Sequence, residues 1–101
     1  MTANAILAEK SAAIAVVCRR YHVQRLYLFG SALRQDFRSD SDIDLLVEFA
    51  PGAPIGLVEY GKLQQELEAL LQRKVDLVTK QGLKPLVRER VLDQAEPVYA
   101  R

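Results

Sequence analysis

Cysteine and histidine each occur once in this sequence of 101 residues. A single Cys18 excludes a disulfide within the chain. It sits at helical spacing among apolar residues and reads as a core residue, not a nucleophile. His22 has no set of thiols or further imidazoles to join, which argues against a zinc site. No apolar run approaches the ~20 residues that a membrane-spanning helix needs. Glu9 and Lys10 interrupt the apolar pattern near the start, which breaks the apolar stretch of a secretory signal. A cytoplasmic protein without membrane partners is expected. Neither sign of charge dominates, since 14 Lys and Arg stand against 13 Asp and Glu. A chain so balanced lacks the strong basic footprint of a nucleic-acid binder.

What is present is enough for one core. Half of the residues are hydrophobic, and the length suits one domain, taken here as 1–101. The stretch NAILAEKSAAIAVVCRRY predicts one helix with Leu7, Ile14, Val17, Cys18 and Tyr21 on its buried face. Asn4 is placed to cap it, and Arg19, Arg20 and His22 suit the negative end of its dipole. VQRLYLFG predicts a strand stopped by Gly30. SALRQ predicts one or two helical turns, and DFRSDS a loop. DIDLLVEFA predicts an interior strand, apolar on both faces after Asp44. LVEYGKLQQELEALLQ predicts the longest helix. Its buried stripe is Tyr60, Leu63, Leu67, Leu70 and Leu71, while Gln64, Gln65, Glu66 and Glu68 are expected mostly in solvent. KVDLVT predicts a third strand. GLKPLVRERVLDQA predicts a last helix with Pro85 in its first turn. EPVYAR is expected to be a tail that docks Val98 and Tyr99 on the core.

The order is α-β-α-β-α-β-α, an α/β (α+β) chain with a small sheet flanked by helices. Its strand–helix–strand segment implies two parallel neighbouring strands with a right-handed crossover. That connection has a chemical consequence. Asp is depleted in strands, yet Asp42 and Asp44 stand two residues apart at the mouth of one, on the same side of the sheet. The crossover brings Asp76 beside them. Like charges placed together are unfavourable without a cation between them. Carboxylate oxygens are hard ligands of the kind Mg²⁺ takes together with substrate phosphates. Two such ions can clamp both oxygens of an in-line displacement. Upstream, Gly30 permits close backbone approach. Ser31 lies at a short helix's N-terminus, where anions are favoured, and Arg34 is about one turn on. Each feature taken singly is a turn, a cap or a surface ion pair; their joint order is what points to phosphate chemistry.

GSALRQDFRSDSDIDLLVEF followed by KVDLVT resembles the nucleotidyltransferase superfamily that includes DNA polymerase β and the aminoglycoside nucleotidyltransferases. The pattern is Gly-Ser, an Arg three residues on, then Ser41-Asp42-Ile43-Asp44, then a later strand Asp. At this length, with the likeness running from about Val23 to Tyr99, the chain resembles the minimal nucleotidyltransferases. The resemblance implies the nucleotidyltransferase fold and a two-metal Mg²⁺ site on Asp42, Asp44 and Asp76. It also implies a nucleotide triphosphate, ATP, held by Gly30, Ser31, Arg34 and Ser41. The chain departs from the family at Gln35, where Gly commonly follows the Arg; a positive φ there would cost about 1 kcal/mol. Ser39 stands where Pro is frequent.

The catalytic elements use nearly the whole chain and leave little for an acceptor pocket. The resemblance implies that a partner, a helical HEPN toxin, presents a tyrosine hydroxyl to receive AMP, and that this chain is its antitoxin. Two other readings stay open at this point. One is an antitoxin that neutralises its toxin by binding alone. The other is a homodimer that modifies a small molecule. The basic residues Arg73, Lys74, Lys80, Lys84, Arg88 and Arg90 read as a solvated face.

Overall fold

The computed structural model describes residues 3–30 and 42–101, with side chains from residue 5 onward. The predicted first helix is two helices. α1 (Ala3–Glu9) ends at Lys10, whose N–H reaches back to the carbonyls of Ile6 and Leu7, and α2 (Ser11–Arg20) begins at once. Periodicity hid the break because Leu7 on α1 and Ile14, Val17 and Cys18 on α2 all enter the same core. Asn4 lies inside the first turn instead of capping it.

β1 (Val23–Phe29), β2 (Ile43–Phe49), α3 (Leu57–Leu71), β3 (Val75–Thr79) and α4 (Pro85–Gln94) follow, as the residue pattern predicts. The supposed tail is a further strand, β4 (Glu96–Ala100), paired antiparallel to β1. Pro97 disguised it, because proline lacks a ladder donor and is confined to sheet edges. The strand order β3-β2-β1-β4 makes β4 such an edge. Val98 and Tyr99 pack against the core, as expected.

β1 and β2 are antiparallel, whereas β2 and β3 are parallel neighbours. The sheet is therefore mixed, and the expected crossover through α3 is present. One face carries Leu26, Leu28, Ile43, Leu45, Val47, Val75 and Leu77, which pack with α2 and with Leu63, Leu67 and Leu71 of α3. Cys18 is fully buried in this layer, and burial pushes its thiol up to about 12. At neutral pH it is a protonated, inert core group. α2 and α3 are also tied at the surface, where Tyr21 donates its hydroxyl to Glu66 and Arg20 pairs with the same carboxylate. The Glu66 acceptor raises the Tyr21 pKa.

α3 ends on Gln72, held at φ 53° and ψ 39°. This left-handed conformation costs an L-residue about 1–2 kcal/mol and glycine almost nothing, less the extra freedom glycine has when unfolded. Gln72→Gly should therefore stabilise the fold by about 0.5–1 kcal/mol. A rise of a few degrees in Tm checks this; an unchanged or lower Tm would refute it.

Candidate functional site

Ile43 sets the geometry of the acidic residues. Its side chain is fully buried, and its N–H donates to the Lys74 carbonyl at 2.9 Å. Strand alternation then turns Asp44, and Asp42 before it, to the face away from the helices. Asp44 is half-buried and Asp42 exposed.

The register completes the cluster. Phe29 on β1 stands opposite Asp44, and Asp44 stands opposite Asp76 on β3. Asp44 and Asp76 thus share one face of adjacent strands, about 4.8 Å apart along the hydrogen-bonding direction. Parallel pairing brings both in near the start of their strands, so both lie at one end of the sheet. The sequence places these two residues together, and the structure pairs them directly.

Gly30 follows Phe29 at φ 74°, in the left-handed region. A Cβ placed there would lie 2.3 Å from Oδ2 of Asp44, closer than any real contact. The position thus requires glycine twice over, for its backbone angle and for the carboxylate that leans across it. The phosphate-cradle glycine of the sequence pattern and the first carboxylate of β2 are neighbours in space. Ser31, Arg34, Gln35, Ser39 and Ser41, and the short helix read from SALRQ, lie outside the described residues.

The donor set suits a hard divalent cation. It consists of carboxylate oxygens alone, on two strands in register, with a second aspartate two residues upstream. Among the described residues, no three or more carboxylate, thiol or imidazole side chains are gathered closely enough to hold an ion as they stand. The strands fix the register, and the side chains would have to close on an ion.

Sequence reasoning missed what α3 does to β3. Tyr60 donates its hydroxyl to the carbonyl of Leu77, Gln64 donates to the carbonyl of Val75 at 3.0 Å, and Glu68 accepts the N–H of Val75 at 3.0 Å. Gln64, Glu66 and Glu68, expected in solvent, are half-buried and engaged. Only Gln65 of that group is exposed. Burial raises the Tyr60 pKa, and the negative charge of Asp76 adds to it. The available signal was the spacing of Tyr60, Gln64 and Glu68, which puts them on one helix stripe.

A hollow of about 440 Å³ lies at the far end of β2, lined in part by Gln24, Glu48, Pro51 and Lys80. Its charged groups are committed to each other, with Lys80 Nζ 3.6 Å from Glu48 Oε1. It contains none of the aspartates.

Comparison with known proteins identifies the domain family. The family model of the nucleotidyltransferase domain matches residues 11–98. The protein adenylyltransferase MntA of Thermococcus cleftensis is 41% identical over 80 residues, 79% of this chain and 77% of that protein. A solved structure provisionally named a minimal nucleotidyltransferase superposes with a TM-score of 0.79 at 39% identity, covering 96% of each chain. The complex of a tri-AMPylated Shewanella oneidensis HEPN toxin with its MNT antitoxin contains a chain that superposes at 0.67 with 25% identity. That match covers 94% of this chain and 73% of the other.

Proposed function

The chain belongs to the nucleotidyltransferase domain family, and on that premise we propose that it moves AMP from ATP to a hydroxyl, a tyrosine's, of a partner HEPN toxin and thereby serves as its antitoxin. The observation that carries this reading is the register of Asp44 with Asp76, with Gly30 pressed against Asp44. The names of the relatives, a protein adenylyltransferase and an antitoxin bound to an AMPylated toxin, supply the acceptor class.

In this reading Asp42, Asp44 and Asp76 hold Mg²⁺. When bound, the metal would neutralise charge on the triphosphate and lower the pKa of the acceptor hydroxyl. The protein's own part is placement. Gly30 leaves room for the phosphates to approach the backbone, and Ser31, Ser41 and Arg34 are the groups assigned to bind them. The acceptor oxygen attacks the α-phosphorus, the bond from that phosphorus to the bridging oxygen breaks, and pyrophosphate leaves. The acceptor proton passes to solvent or to a nearby carboxylate. An added phosphate brings negative charge and bulk, which suits the silencing of an RNA-cleaving site.

The test is an intact mass spectrum. The product of the adjacent gene, if it is a small helical protein, is incubated with this chain, ATP and Mg²⁺. One or more adenylate units are expected on that protein. A stable complex that neutralises the toxin with no mass gain would instead favour an antitoxin acting by contact alone.

A further inference from the structure

β3 is the outer strand of the sheet on the side of the acidic cluster, and it has only five residues. A strand at an edge has ladder bonds on one side only, and its ends fray readily. Asp76 is the second residue of this strand and is exposed. An exposed side chain takes its position chiefly from the backbone that carries it.

Peptide groups alternate in direction along a strand. The Lys74 carbonyl accepts from Ile43 and so faces β2; by alternation the N–H and carbonyl of Asp76 face β2 as well. The groups of Val75 and Leu77 face outward, and these are the ones that α3 engages. Glu68 takes the Val75 N–H, Gln64 the Val75 carbonyl and Tyr60 the Leu77 carbonyl. The three side chains stand four residues apart on one stripe of α3. They act as a substitute strand, bonding β3 before and after Asp76 while β2 bonds it from the other side.

We propose that Tyr60, Gln64 and Glu68 form a clamp on the outer edge of β3 that fixes the height and orientation of Asp76 beside Asp44, and that they are positioning residues for the metal site. The proposal rests on the reading of Asp42, Asp44 and Asp76 as metal ligands. Glu68 is a carboxylate near the cluster, but its oxygen is committed to a backbone N–H and it serves as support, not as a ligand. Its bond is charge-assisted and stronger than a neutral one. Tyr60 is fixed in turn by the ring of Phe49, which it meets edge-on at 6.3 Å between centroids. The clamp therefore refers Asp76 to the core of the domain.

Four variants separate the alternatives: Glu68→Ala, Glu68→Gln, Gln64→Leu and Tyr60→Phe. The readouts are amide hydrogen exchange at Val75, and binding of Mn²⁺ alone followed by electron paramagnetic resonance. Glu68→Ala and Gln64→Leu should speed exchange at Val75 and weaken Mn²⁺ binding by about tenfold or more, the usual size for groups that orient a metal ligand. Glu68→Gln keeps an acceptor oxygen and should recover most of the affinity. Tyr60→Phe changes one hydroxyl and leaves the apolar packing in place, so it still tests the clamp if a larger change unfolds the chain. Faster exchange at Val75 with unchanged Mn²⁺ affinity overturns the proposal, since the clamp would then hold the strand and nothing more. Asp76→Asn is the control for the underlying reading. If it leaves Mn²⁺ binding untouched, the metal site itself is misassigned and the proposal falls with it; if it weakens binding and the clamp variants do not, the clamp alone is wrong.

Discussion

Asp44→Asn combined with Asp76→Asn is expected to lower adenylyl transfer by about a thousandfold or more, equivalent to about 4 kcal/mol in the barrier, while the domain stays folded. The two side chains lie in register on one face of parallel neighbours, so the double variant removes the pair proposed to hold the metal and leaves the opposite, packed face untouched. Asp76 is exposed. Like charges opposite one another on a sheet oppose folding by about 0.2–1 kcal/mol. Asp76→Asn alone should therefore leave Tm unchanged or slightly higher while transfer collapses. Initial rates by mass spectrometry, set beside thermal melts, check both halves. Loss of activity together with a large drop in Tm would mean that the aspartates are structural. Full activity would remove them from the reaction.

Gly30→Ala should be damaging in two ways. The methyl group would be forced into a positive φ, at about 1–2 kcal/mol, and toward an oxygen of Asp44 that lies 2.3 Å from where the Cβ would be. The backbone angle and the carboxylate cannot both stay as they are. A fall in stability of about 1–2 kcal/mol is expected, and with it a loss of about a hundredfold in transfer, the scale of a misplacement of about 1 Å at a reacting centre. Denaturant unfolding gives the first number and the adenylation assay the second. A stable variant with normal rates would show that this turn adapts, and that its glycine is incidental to the chemistry.

Much of the site was legible because its logic is one of order along the chain. A strand, a helix and a strand of these lengths imply parallel neighbours, and parallel neighbours bring their starts together. That alone carried Asp76 to Asp44. The core was legible for a similar reason, since helical and strand periodicities mark the buried face whatever the partner. The features that were not legible depend on tertiary context. The break at Lys10 interrupts the backbone but not the apolar face. β4 is short and begins with a glutamate and a proline, so that its strand character comes from β1 beside it. Gln64 and Glu68 use the same residue types as a solvated helix face, and only the proximity of an unpaired strand edge reveals their bonds. The contribution of Ser31, Arg34 and Ser41, and the effect of Gln35, rest on the motif alone.

The pairing of β1 with β4 also bears on how the protein is made. Partners in this ladder lie far apart in sequence, Arg25 against Ala100 and Leu28 against Glu96, and the Arg101 N–H bonds the carbonyl of Gln24. A ribosome releases β1 early and β4 late, at about 5–20 residues per second. For several seconds the strand that leads into Gly30 has one edge without its final neighbour. An edge in that condition invites pairing with another nascent chain. The domain therefore closes only after residue 100 has left the exit tunnel, and its vulnerability to mispairing is set by translation speed as well as by the stability of the finished fold.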